Sequence, residues 1–310
     1  VVHNAAKAAL GTVLAVFSLA ACATVPKTAH EEPLRLLLSP ERVLVSCNLE
    51  NSRAVPELLL NRFMEPKDAG RFLDRTDKLH ILLPSPGDEG GSYTLLGKGR
   101  YPRRLSNFAF AREEQWEKRK DPLSWWEHRS SALQIAVLPE GYIVLSTGAI
   151  REAFDRLFGG TPGTLPASVE KNMQDAAVTI YAPRTEGLLR KVAGGTGGRV
   201  DFGAVETFES ALYPDNGDGF TVRGEFSLRD SGKARAFALG FRLLLISSAR
   251  NEGPEQVQRI IQKTEIESSE RRVKFRGIPV SSRHIEQLLY SVVSLPVPAG
   301  EETVILEEDG

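Results

Sequence analysis

Cys22 carries the plainest chemistry in this sequence. Its thiol follows Leu19, Ala20 and Ala21 at the end of an apolar run that begins at Ala8. A thiol becomes a nucleophile once deprotonated, and small side chains just before it let an extended backbone lie close against a protease. The run from Ala8 to Ala21 covers 14 residues. That falls short of the roughly 20 needed to cross a bilayer as a helix and suits the apolar part of a signal peptide. The expectation is that residues 1–21 are removed and that Cys22 begins an exported chain.

The same segment resembles the lipobox of bacterial lipoproteins, in which a Leu, two small residues and a Cys are read by the processing enzymes. All four positions match. The resemblance implies diacylglycerol on the Cys22 thiol, so Cys22 is the expected lipid attachment and a membrane the expected partner. The alternative is ordinary secretion, because Ala21-Cys22-Ala23 also fits the small-x-small rule. Ala23 is not the Asp that retains enterobacterial lipoproteins in the inner membrane, which favours the outer membrane.

A second set of residues could meet a lipid surface. Between Lys98 and Lys120 stand eight basic residues, Lys98, Arg100, Arg103, Arg104, Arg112, Lys118, Arg119 and Lys120, against Glu113, Glu114 and Glu117, a local charge of 8 − 3 = +5. Tyr101, Phe108, Phe110 and Trp116 are interleaved, and Trp125 and Trp126 follow. Cations beside interfacial aromatics suit anionic headgroups. They would also suit nucleic acid, a reading that export argues against. The competing expectation is a solvated basic face with the aromatic rings turned into the core.

Elsewhere the search for chemistry returns little. His30, His80, His128 and His284 show no metal-ligand spacing, no G-x-S-x-G elbow is present, and no cofactor is expected. Cys47, in the alternating Val43-Leu44-Val45-Ser46-Cys47, reads as a small buried hydrophobe. Gly194-Gly195-Thr196-Gly197-Gly198 lacks the Lys-Ser/Thr ending of a phosphate loop. Asp215-Asn216-Gly217-Asp218-Gly219 resembles half a calcium loop, but Phe226 stands where the bidentate Glu belongs, so it reads as a hairpin turn. Ala236 to Ile246 is apolar except at Gly240 and Arg242. It is too short to span a membrane, and is expected either in the core or, as the alternative, at a membrane interface or apolar groove.

The elements that must position these residues follow from length and pattern. Removing 21 of 310 residues leaves 289 with 38 basic and 40 acidic side chains, so no global field selects a partner. The divisions expected are a signal peptide at 1–21, a tether at 22–33, α+β units at 34–160 and 161–298, and an acidic tail at 299–310. The units read as a duplication. Tyr93-Thr94-Leu95-Leu96-Gly97 matches Phe220-Thr221-Val222-Arg223-Gly224, and the strand-to-helix passage Val144–Ile150 matches Pro279–Ile285. Arg42–Asn48 with a helix over Ala54–Phe63 is repeated by Ala177–Tyr181 with Thr185–Val192. Ser146 or Thr147, and Ser281 or Ser282, are expected to cap the helices that follow them. Gly159–Gly163 reads as the linker. The fold class expected is α+β, two weakly similar tandem units with mostly antiparallel sheets covered by helices in a pseudo-two-fold arrangement.

This order, with Gly97-Lys98-Gly99-Arg100-Tyr101-Pro102, Trp116, Trp125-Trp126 and Gly141-Tyr142-Ile143-Val144-Leu145-Ser146, resembles a group of treponemal lipoproteins over most of residues 40–158 and thinly over the second half. The resemblance implies a membrane-tethered α/β protein with amphipathic helices and no established enzymatic activity. The function expected is a non-enzymatic exported lipoprotein that contacts the lipid surface or supports the envelope. The alternatives are a carrier for a hydrophobic ligand and, last, an enzyme with an unrecognised site.

Overall fold

Strand β1 (Arg42–Asn48) is buried at every position after Arg42, the mark of a central strand covered on both faces. Val43, Val45 and Cys47 join one core cluster, and Leu44 joins a second on the opposite face. The computed structural model describes residues 33–285 apart from 62–65, 85–91, 103–109, 113, 121–122, 131, 149, 186–199, 216–218, 251–252 and 282–283. Cys22, Arg103, Arg104, the 194–198 loop and the 299–310 tail lie outside the described residues.

The first half opens with a short helix, α1 (Pro33–Leu37), and then β1. Helices α2 (Ala54–Leu60) and α3 (Pro66–Leu73) precede β2 (Thr76–Pro84) and β3 (Thr94–Gly99). A meander of β4 (Trp116–Lys120), β5 (Ser124–His128), β6 (Leu133–Val137) and β7 (Tyr142–Thr147) leads to α4 (Ile150–Gly159). The second half runs α5 (Ala167–Asp175), β8 (Val178–Ala182), β9 (Val205–Pro214) and β10 (Gly219–Leu228). It continues through α6 (Ala234–Arg250), α7 (Pro254–Lys263), β11 (Glu265–Ser269) and β12 (Arg272–Ser281).

All twelve strands form one antiparallel sheet in the order β11-β12-β10-β9-β8-β1-β2-β3-β7-β6-β5-β4. From the central β1–β8 seam outwards, one half reads β1-β2-β3-β7-β6 and the other β8-β9-β10-β12-β11. The matched sequence frames therefore occupy matched places: β3 and β10 are third from the seam, β7 and β12 fourth. Strands β5 and β4 extend the first half only. At the seam Leu44 faces Tyr181, Val45 faces Ile180, Ser46 faces Thr179 and Cys47 faces Val178. With residue i of β1 equivalent to i + 135 in β8, this register is symmetric about Val45–Ile180, as a local two-fold requires.

Separate sheets for the two units are not what forms. Each unit alone would leave a strand edge with unpaired backbone groups, and the seam pairs those edges with one another. Side chains reinforce it: Asn48 Nδ2 donates to the Gln174 carbonyl at 2.9 Å, and Asn51 Nδ2 reaches the carbonyls of Gln174 and Ala176 at 3.1 and 3.2 Å. These bonds satisfy acceptors at the end of α5.

Helices cover both faces. Val55, Leu60, Ala69, Phe72 and Leu73 of α2 and α3 pack in the cluster with Val43 and Val45. Leu34, Leu37, Ile150, Phe154, Val169 and Met173 of α1, α4 and α5 pack on the other side with Leu44, Leu82 and Val144. Helix α6 lays Phe237 and Phe241 on Phe226 and Phe275. The expected caps are divided. Ser281 Oγ accepts from the His284 N–H at 3.4 Å, but α4 is capped by Gln134 of the neighbouring strand, whose Oε1 accepts from Ile150 N at 2.9 Å. Thr147 Oγ1 is taken by Tyr93 N at 3.1 Å.

Candidate membrane-facing surface

The basic-aromatic segment is taken apart by the pleat. Trp116 and Trp126 face the same side of the β4–β5 ladder and pack on Phe110, with ring centroids 5.2 and 5.7 Å away. Trp125 points the other way into the second cluster. Only 5%, 6% and 4% of Trp116, Trp125 and Trp126 is exposed. The rings are core side chains, because successive residues on a half-buried strand alternate between faces and both faces are covered here.

The cations are separated too. Lys98 lies at the end of β3 with Nζ 5.6 Å from the Tyr142 ring centroid, and Arg100 donates to the Asp74 carbonyl at 3.0 Å. Strands β7, β6 and β5 intervene before β4, a spacing of about 19 Å at roughly 4.8 Å per strand. On β4, Arg119 sits between Glu117 at 3.0 Å and Glu127 at 3.2 Å. Lys118 stands over the Trp126 ring at 5.8 Å, and Lys120 is exposed. Neither lysine has a carboxylate partner among the described residues.

A more concentrated surface lies on α6. At 3.6 residues per turn, Arg235, Leu239, Arg242, Leu243, Ile246 and Arg250 fall within an arc of about 100°. Leu239 is 61% exposed and Leu243 47%, while Phe237, Gly240 and Phe241 are buried beneath. Helix α7 packs against α6 and adds Ile261, 61% exposed. Helix α6 contains no acidic residue, and its three arginines make no ion pair among the described residues. Ala236–Ile246 thus buries one face in the core, as expected, and leaves the other exposed. The signal was present in the sequence as Arg235 and Arg242 on one stripe.

An open apolar groove of about 600 Å³ lies on the opposite side of the first half. Pro33 and Leu36 of α1, Leu138, Tyr142, and Leu157 and Phe158 of α4 line it, with Glu140 at the rim. Phe158 is 59% exposed there.

The chain is similar in fold to TP0453. Crystal form I of that treponemal lipoprotein superposes with a TM-score of 0.65 at 14% identity, covering 86% of this chain and all of TP0453. Crystal forms III and IV give 0.64 and 0.61 at 14% and 13% identity, covering 85% and 84% of this chain. The resemblance to treponemal lipoproteins read in the sequence thus holds for the fold. No family model and no curated protein sequence matches.

On this TP0453-like frame Cys47 and His80 are shut away. Burial pushes the Cys47 thiol up to about 12, so it stays protonated. His80, in the centre of the sheet, bonds Ser46 Oγ through Nδ1 at 3.0 Å and is held neutral by burial, its pKa lowered to about 3. Among the described residues no three His, Cys, Asp or Glu side chains are grouped to hold a metal ion.

Proposed function

We propose that this chain is an exported lipoprotein, anchored through lipid on Cys22, whose folded part rests on an anionic membrane surface by the α6–α7 hairpin. The observation that supports this reading most is the outer face of α6, where exposed Leu239 and Leu243 alternate with Arg235, Arg242 and Arg250 and no carboxylate intervenes. Apolar side chains between cations suit the boundary between headgroups and acyl chains. Each arginine contributes about 1 kcal/mol when it reaches an anionic surface, and each leucine about 1.5–3 kcal/mol when fully withdrawn from water. Arg100, Lys118 and Lys120 add charge at other points. The outer membrane is the favoured address.

Two measurements test it. Detergent-phase partitioning of wild type and Cys22→Ala reports the anchor, and the variant must lose the detergent phase. Co-sedimentation of acyl-free protein with anionic and neutral vesicles reports the surface, and equal binding to both would remove the electrostatic part.

The groove supports a second reading, a carrier for a hydrophobic ligand. Its volume lies within the usual range for small-molecule sites. Native mass spectrometry of freshly purified protein should then show a co-purified lipid that a Leu36→Asp/Leu157→Asp variant lacks.

A further inference from the structure

The groove between α1, α4 and the turn before β7 has a pair of cations beside it. Tyr142 lines the groove and lies opposite Lys98 in the β7–β3 ladder, and Lys98 in turn lies opposite Lys78 in the β3–β2 ladder. Directly opposed residues share a face of the sheet. Tyr142, Lys98 and Lys78 therefore form one row across three strands, with Lys98 Nζ 5.6 Å from the Tyr142 ring centroid.

Both lysines are half-buried. Both also act on the buried His80 ring, adding to the effect of burial in lowering its pKa, so the two charges are felt at one place. Like charges directly opposite each other destabilise a sheet, and Lys78 has no ion pair among the described residues. The turn that borders the groove is pinned to the same end of β3. A Cβ on Gly141 would stand 2.2 Å from the Gly99 carbonyl oxygen, which sets residues 139–141 against the strand end that carries Lys98. Within that turn Glu140 is held at a φ of 64°, a left-handed conformation uncommon outside glycine and met where ligand sites over-determine the backbone.

We infer that the groove takes a long-chain fatty acid, its carboxylate against the Lys98–Lys78 pair and its chain along Leu36, Leu138, Leu157 and Phe158. The inference rests on the carrier reading of the groove and names the ligand class. Lys78, Lys98 and Glu140 sum to +1, the charge that one carboxylate cancels. An ammonium on a flexible stem receives such an anion without a fixed geometry, and its methylenes can lie along the apolar wall. A neutral ligand would leave the opposed cations as they are. The site uses neither α6 nor β4, so a loaded groove leaves the membrane-facing charges uncovered.

Equilibrium dialysis of the full chain, made without its N-terminal lipid, tests the assignment with palmitate and its uncharged twin hexadecanol, each below its aggregation concentration. At low salt the wild type should hold palmitate roughly tenfold or more tighter than hexadecanol. Lys78→Gln/Lys98→Gln should abolish that preference, and Lys78→Arg/Lys98→Arg should keep it. Leu36→Asp/Leu157→Asp should lose both ligands, with circular dichroism establishing that each variant is folded. Equal binding of palmitate and hexadecanol by the wild type would overturn the assignment and leave the carrier reading standing, as would a preference that survives the glutamine substitutions. Binding of neither ligand would end both.

Discussion

Gly97 on β3 and Gly224 on β10 both lie on the third strand from the seam, and each sits under an aromatic side chain that a Cβ would strike. A Cβ at Gly97 would stand 2.8 Å from both Tyr101 Oη and Ile143 Cγ2; one at Gly224 would stand 2.5 Å from Phe275 Cζ and 2.3 Å from the Glu209 carbonyl oxygen. Gly97→Ala and Gly224→Ala should each destabilise the fold by about 1–3 kcal/mol, in the range of overpacked cores. Gly224→Ala should cost more, because it meets backbone as well as a ring. Urea midpoints at constant slope check both, and a neutral Gly224→Ala would mean that β9 shifts freely.

Thr179 is fully buried opposite Ser46, and its Oγ1 has no hydrogen-bond partner among the described residues. A buried hydroxyl without a partner costs about 1–3 kcal/mol. Thr179→Val should therefore raise stability, by about 1 kcal/mol, as read from thermal or urea unfolding. A loss of that size would reveal a partner for the hydroxyl in solution.

His80 links stability to pH. Its folded pKa of about 3 lies below the ordinary value of 6.5, so below pH 6.5 the unfolded chain binds a proton that the folded chain refuses. The contribution of neutral His80 is fully present above pH 6.5 and declines as pH falls toward 3, by about 1.4 kcal/mol per unit. Urea unfolding of wild type and His80→Leu at pH 7 and pH 4.5 isolates this term from the carboxylates. The variant should show the shallower loss; parallel losses would place His80 in contact with water.

Arg235→Gln/Arg242→Gln/Arg250→Gln should weaken binding of acyl-free protein to anionic vesicles by up to about 3 kcal/mol, roughly 150-fold, at low ionic strength. At 0.15 M salt the Debye length is about 8 Å, and the difference should shrink. Leu239→Ser/Leu243→Ser should instead remove binding that survives salt. Co-sedimentation of both variants separates the two, and wild-type behaviour from both would dismiss α6 as the contact.

The duplication was legible because its positions are steric: an aromatic, a Thr and a Gly recur where each strand passes under a ring. The seam was not legible. Nothing in Val43–Cys47 or Val178–Ala182 separates pairing within a unit from pairing between units, since both make a central strand apolar on both faces. Trp116, Trp125 and Trp126 were ambiguous for a related reason, as tryptophan suits a core and a lipid interface equally. The α4 cap came from Gln134, a residue distant in sequence, where Ser146 and Thr147 were the local candidates. Helix α6 showed its arginine stripe, but which of its apolar residues stayed in water depended on the packing of α7.

The β1–β8 seam also sets an order of events. Val45 meets Ile180 across 180 − 45 = 135 residues, so a chain emerging from its N-terminal side builds β1 long before the strand that covers its second edge. During that interval the first half carries a bare apolar edge strand, able to accept β8 from another molecule as readily as its own. Refolding at high concentration therefore favours strand-exchanged dimers, and one sheet running through both halves denies either half an unfolding transition of its own.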